Sequence, residues 1–234
     1  MKKFRENSQR AKMAEILIWV SGGLSLVGLI TNFMEYRIYA NANQGVFISM
    51  DEAQSFQITE VIVAILTVGV FIFSAITFIQ WFRRAYFNQE MKFSMTTTNG
   101  WTAGAWFIPI YNLYRPYQLM KELYENVESF LIKNQLDETK KSNFAVLGWW
   151  WGLWITLNIA QNIVTRVSLR SESLDVLQSL AVASMAIELL YIPLAYITVK
   201  VIRNYNEMEL VFLSNAGETG SGTKENSELL DTGI

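Results

Sequence analysis

Four stretches of about twenty apolar residues constrain this chain more than any other feature of its sequence. They cover residues 14–34, 60–81, 145–164 and 177–199. A bilayer hydrocarbon core about 30 Å thick needs about 20 apolar residues per helix, and each stretch meets that length. Inside hydrocarbon every backbone N–H and C=O has to be satisfied within the segment, so each stretch is expected to be a helix. The fold class that follows is an all-α membrane protein with four transmembrane helices arranged as two hairpins. Composition agrees: 51% of residues are hydrophobic and 17% charged, and the apolar ones cluster in blocks rather than at core-like intervals. Ala40-Asn41-Ala42 resembles a signal-peptide processing site. The apolar run before it is too long for a signal h-region and ends well upstream, so cleavage is not expected.

Orientation follows from lysine and arginine. Sixteen of the 19 fall in the N-terminal flank, the long connection between the second and third stretches, or the C-terminal flank. The other three, Arg37, Arg166 and Arg170, lie in the two remaining loops, about 35–59 and 165–176. The positive-inside rule then puts both termini and the long connection in the cytoplasm. The expected organisation is a basic cytoplasmic N-terminus (1–13), a four-helix membrane domain (14–203) and a cytoplasmic, largely disordered acidic tail (204–234). The tail is Gly-, Ser-, Thr-, Asn- and acid-rich from about Ser214.

The long connection carries its own pattern. Leu119, Met120, Leu123, Tyr124, Val127, Phe130 and Leu131 share one side of a helical wheel, and Lys121, Glu122, Glu125, Asn126, Glu128 and Ser129 the other. Pro116 stands where a first helical turn accepts proline. An amphipathic helix over about 116–134 is expected, packed under the bundle or lying in the headgroup region. Residues 101–114 before it are apolar, too short to span, and broken by Gly104 and Pro109. They suit an interfacial or a re-entrant piece.

Cysteine and histidine are both absent. That removes disulfides, thiol nucleophiles, the usual zinc sites, His-ligated haem and Ser-His-Asp chemistry. No catalytic residue, metal or cofactor is expected, and a membrane enzyme would need a carboxylate pair in one cavity. Glu60 and Glu188 do not match in depth. Nucleic-acid binding is not expected either, because the basic residues follow membrane topology.

The candidate polar site lies within the spans. Glu188 sits near the middle of the fourth stretch. A carboxylate there costs at least ~2.5 kcal/mol on insertion scales, so it should face the bundle interior and be neutral. Ser25 and Trp154 lie at nearly its depth as hydrogen-bond donors. Asn158, Gln161 and Asn162 share a face of the third stretch through i, i+3, i+4 spacing, and either line an outward vestibule or cross-link helices. Ser21, Ser25, Gly28 and Asn32 form a small-residue stripe expected to be a helix-packing face. At the cytoplasmic boundary Trp149, Trp150 and Trp151 suit an aromatic belt. Arg83, Arg84 and Arg115 suit either snorkelling or an anionic headgroup site.

A second group of residues forms a motif. The second stretch closes with Phe78, Trp81, Arg84, Ala85 and Asn88. The connection continues with Trp106-Phe107-Ile108-Pro109, Asn112-Leu113 and Arg115-Pro116-Tyr117, then Met120 and Glu122. From about Phe78 to Arg203 the chain resembles a bacterial membrane family catalogued only as domain of unknown function 4328. The resemblance implies a bacterial multi-spanning membrane protein and no particular activity. Its candidate interface residues here are Trp81, Arg84, Asn88, Trp106, Pro109, Asn112, Arg115 and Pro116.

The expected function is a non-enzymatic scaffold or lipid- or partner-interacting module. The alternative is a small oligomeric transporter or channel using Glu188 and the Asn158/Gln161/Asn162 face. Expected partners are the lipid bilayer, anionic lipid headgroups, and a further copy of the chain or another membrane protein.

Overall fold

The computed structural model describes residues 3–136 and 142–218. Lys2, Lys140, Lys141, Lys224 and the tail from 219 onward lie outside them. The described chain is helical: α1 (Ser8–Asn43), α2 (Met50–Gln89), α3 (Asn99–Gly104), a 3-10 turn (Ile110–Leu113), α4 (Arg115–Lys133), α5 (Phe144–Ser168) and α6 (Leu174–Glu218). Three of these, α1, α2 and α6, are long and apolar enough to cross a membrane. The third expected span is a helix of 25 residues, but its four tryptophans and three amides keep its hydropathy below that of the other three. In the most apolar stretch of α2 only 11% is buried, and side chains such as Ile65, Val68 and Phe71 point away from the protein. Water does not tolerate an apolar face that extensive; hydrocarbon does.

The helices outrun the apolar stretches that announced them. The loop expected over 35–59 shrinks to 44–49, where Gly45 turns the chain at φ 73°. At the other end, α6 continues to Glu218, so the expectation of a largely disordered tail from 204 is corrected over 204–218. Apolar density falls below what a bilayer needs after Val199. Yet Tyr205, Met208, Phe212 and Ala216 recur at helical spacing, and all four are buried. That one-sided pattern sustains a helix packed on protein rather than in lipid.

The chain divides into two compact units. Of the described residues, one comprises 14–76 and 149–200, the other 3–13, 77–136, 142–148 and 201–218. In the first, α1 is held between α2 and α6. Ser21 and Ser74 share a hydrogen bond of 3.0 Å, and Trp19 meets Tyr196 with ring centroids 6.5 Å apart. A methyl added at Gly22 would touch the Ala195 side chain at 3.0 Å. The small-residue stripe thus meets α2 at Ser21 and α6 at Gly28, where small side chains let helices approach.

The second unit is built around α4. Its buried face comprises Pro116, Leu119, Met120, Leu123, Tyr124, Val127, Phe130 and Leu131. The Tyr124 hydroxyl donates to the Val201 carbonyl at 2.7 Å, and the Gln89 side-chain amide donates to the Leu123 carbonyl at 2.6 Å. Phe130 meets Phe212 edge-on at 5.0 Å. Helix α4 is therefore stapled to the C-terminal ends of α2 and α6 by side chains from both.

Candidate functional site

The first candidate centre is Glu188 on α6. Ser25 of α1 lies beside its carboxyl, with the Ser25 hydroxyl donating to the Ser21 carbonyl at 3.4 Å. A Cβ at Gly28 would lie 2.8 Å from the Glu188 Cδ and 2.9 Å from its Oε1, so glycine is what lets the acid sit against α1. Overpacking of this kind costs about 1–3 kcal/mol. Gly28→Ala should therefore lower unfolding stability in detergent by that amount. Gly23→Ala, with nothing within 4 Å of the added methyl, should instead gain up to about 1 kcal/mol of helix propensity. Equal melting curves for the two variants would mean the Glu188–α1 contact is not formed.

The amides of α5 do not join that centre. Asn158 donates to the Trp154 carbonyl at 2.7 Å, and Asn162 to the Asn158 carbonyl at 2.9 Å. Gln161 reaches Thr165 Oγ1 at 3.4 Å. Each bond stays on its own helix. The Trp154 ring stacks on Trp151 with centroids 4.9 Å apart.

The motif residues assemble more closely, in the other unit. Trp81 is 0% exposed, its ring against Phe78 at 5.4 Å and Tyr205 at 5.8 Å. Two turns on, Asn88 is equally buried. Its Oδ1 accepts from the Arg5 backbone N–H at 3.0 Å, while its Nδ2 donates to the Arg5 carbonyl and to Glu209 Oε1, both at 2.8 Å. Asn7 Nδ2 supplies the other carboxyl oxygen, Glu209 Oε2, at 3.0 Å and also the Trp81 carbonyl at 3.2 Å. Glu209 is 1% exposed. Burial pushes its carboxyl up to about 7, against the opposing pull of the Asn7 and Asn88 donors and the Arg84 charge. Glu209 lies ten residues, about 15 Å, past the end of the apolar stretch 177–199, outside the membrane-spanning part of α6. Arg84 is itself held below the usual arginine range, first by burial and then by Arg10 and Arg5.

Arg115 belongs to a neighbouring cluster. Its guanidinium donates to Gln118 Oε1 at 3.1 Å and to Thr96 Oγ1 at 3.2 Å. The Thr96 N–H and hydroxyl and the Tyr86 hydroxyl all donate to Glu122 at 2.8 Å. Burial is the main cause that pushes the Tyr86 hydroxyl up to about 12. Trp106 packs edge-on against Phe78 at 5.3 Å and Phe82 at 6.1 Å. Pro116 is buried in the first turn of α4. Pro109 is exposed just before the 3-10 turn, and the Asn112 N–H donates to the Ile108 carbonyl at 2.9 Å.

Over 101–114, on either side of Trp106, the chain turns apolar side chains outward. Phe107 is 73% exposed and Ile110 75%, and Trp101, Tyr111, Leu113 and Tyr114 are also exposed. Arg83 Nε holds one end of the segment through the Asn99 carbonyl at 3.3 Å, and Glu90 binds the backbone N–H and side-chain amide of the same Asn99. Arg115 and Thr96 hold the other end.

Sequence reasoning missed Glu209, Asn7, Gln89 and Tyr205, which tie this unit together. The usable signal was positional: Glu209 interrupts the apolar face of Tyr205, Met208 and Phe212, a place where a charged residue is almost never left without partners. Among the described residues no three carboxylates come together in a manner that would hold a metal ion. The model of a family described as "Domain of unknown function (DUF4328)" matches residues 44–207, a stretch that contains all eight motif residues but neither Asn7 nor Glu209. No curated protein and no solved structure matches the chain.

Proposed function

The chain belongs to the DUF4328 family, and from its own residues we propose that it is a non-enzymatic membrane module that works at the cytoplasmic lipid interface. It crosses a bacterial cytoplasmic membrane four times, with α5 as the span that the apolarity of the other three does not include. Its termini and the amphipathic helix α4 are cytoplasmic. The observation that carries this reading is the row of exposed aromatic and aliphatic side chains over 101–114. Trp106 anchors the row to Phe78 and Phe82 at the end of the second apolar stretch, which is the depth of a membrane boundary. Burying a Phe or Ile side chain is worth about 1.5–3 kcal/mol, so lying in lipid rather than water favours this segment strongly. Arg83 and Arg115 at its two ends suit anionic headgroups. The transporter reading is the weaker one, because the α5 amides are spent on their own helix and do not meet Glu188.

The chain has no cysteine, so single introduced thiols report unambiguously. A fluorophore on Phe107→Cys or Ile110→Cys in nanodiscs should be quenched by lipids brominated near the carbonyl region. In intact cells, Gln44→Cys and Ser171→Cys should react with an impermeant thiol reagent, and Lys3→Cys only after permeabilisation. A fluorophore quenched by aqueous iodide and untouched by brominated lipid would overturn the interface reading. Labelling of Lys3→Cys in intact cells would overturn the orientation.

A further inference from the structure

We propose that residues 4–7 form a clasp closed over the buried acid Glu209, and that the clasp opens when this acid loses its proton. The segment is fastened by a small set of contacts to α2 and α6. The Arg5 backbone exchanges two hydrogen bonds with the Asn88 side chain, and Asn7 bridges Glu209 and the Trp81 carbonyl. Phe4 sits edge-on to Phe212 at 5.7 Å, and the Arg5 guanidinium lies 4.8 Å over the Phe87 ring. Asn7 occupies the position before the first turn of α1, where its carbonyl accepts from the Ala11 N–H at 3.0 Å. An asparagine there ordinarily spends its side chain on the helix's own free N–H groups. Here it goes to Glu209 instead, so the start of α1 is tied to the carboxyl.

Each oxygen of that carboxyl has one neutral amide donor, and a closed clasp shields it from water. Burial outweighs the donors and the Arg84 charge, which is why the carboxyl holds its proton up to about pH 7 rather than giving it up near the ordinary 4.5. With the clasp open the carboxyl meets water and returns toward the ordinary value. A proton is therefore bound more tightly in the closed state. Below about pH 4.5 both states are protonated and the clasp has its full strength. Between 4.5 and 7 the open state ionises first, and the open-to-closed ratio rises roughly tenfold per pH unit. Above 7 both states are ionised and the ratio levels off. The other groups facing this acid do not switch in that window. Arg84 keeps its charge there, and burial holds the Tyr205 hydroxyl neutral, well above its ordinary range. The device thus releases the N-terminal segment as the surrounding pH rises, and holds it as the pH falls.

The test uses the full chain in detergent or nanodiscs with one spin label at Lys3→Cys. The mobile-to-immobile ratio should rise roughly fortyfold between pH 5 and pH 7 and flatten above pH 8, following the two ionisation midpoints. Glu209→Gln should remove the slope. Asn7 Oδ1 has no hydrogen-bond partner among the described residues, so a rotated Asn7 amide offers the glutamine an acceptor. Should Glu209→Gln fail to fold, difference infrared spectra of the labelled wild-type chain serve instead. The protonated carboxyl stretch should disappear near pH 7, in step with the label's release. A label whose mobility is unchanged from pH 5 to 8 would overturn the proposal, and so would a slope that survives in Glu209→Gln or does not track the carboxyl band.

Discussion

Asn88→Ala should lower unfolding stability in detergent by about 3 kcal/mol at pH 6, and by less at pH 8, where ionised Glu209 has already loosened the clasp in the wild type. Asn88 makes three hydrogen bonds with one amide, two to the Arg5 backbone and one to Glu209. Arg5 is exposed, so its N–H and C=O can turn to water once Asn88 is gone. Under the closed clasp Glu209 cannot, and an unsatisfied buried acceptor costs about 1–3 kcal/mol. The pH dependence has a definite sign. At pH 6 the wild type is closed and all three bonds are lost. At pH 8 the ionised acid has already loosened the clasp, so fewer of them are there to lose. Asn88→Asp sets a second carboxylate against Glu209, so at pH 8 it should hold the clasp no better than Asn88→Ala. Chemical denaturation of the three proteins at both pH values checks this. Equal losses at pH 6 and pH 8 would show that Glu209 is not the group Asn88 supports.

The wild-type background has its own slope. A carboxyl at about 7 when folded and 4.5 when unfolded gives up about 3 kcal/mol of stability as pH rises through that interval. This is the reverse of the usual acid side chain, whose folded-state value is depressed and whose contribution is lost on acidification.

How far the sequence carried the fold depends on what each element packs against. Helices that meet hydrocarbon are legible, because an apolar run of twenty residues has almost no other use; α1, α2 and α6 were found this way. Helix α4 was legible for a different reason. Leu119, Leu123, Val127 and Phe130 recur at helical spacing, and these are residues it buries. The end of α6 was misread because Tyr205, Met208 and Phe212 are too widely spaced to register as a span and were followed by a Gly- and Ser-rich tail. Helix α5 stands between the two cases, long enough for a bilayer but diluted by tryptophan and amide side chains. Glu209 stayed hidden for a further reason. Its partners Asn7 and Asn88 lie 202 and 121 residues away, and no local spacing brings such residues together. The motif residues Trp81, Arg84 and Asn88 were picked out with no indication of what they face. They face the two ends of the chain, Asn7 and Glu209, through which the unit is closed.

Trp81→Ala should cost about 3–5 kcal/mol, the range for deleting a buried large aromatic. The indole is 0% exposed and lies between Phe78 and Tyr205, while Phe78 also carries Trp106. Deleting it opens a cavity shared by the end of α2, the end of α6 and the anchor of the exposed segment 101–114. Trp81→Phe separates shape from polarity. The Trp81 Nε1–H is buried with no hydrogen-bond partner among the described residues, and an orphaned donor costs about 1–3 kcal/mol. Phenylalanine removes that donor and keeps a ring against both neighbours, so its net loss should stay under about 1.5 kcal/mol. Trp149→Ala, at a tryptophan 74% exposed, should change stability in detergent by no more than about 0.5 kcal/mol. Urea or thermal unfolding of the three variants gives the order Trp81→Ala far below Trp81→Phe, with Trp149→Ala near wild type. If Trp81→Phe fell as far as Trp81→Ala, the indole N–H would have a partner worth more than its ring, and the closure of this unit would rest on a polar contact to Trp81 rather than on its packing.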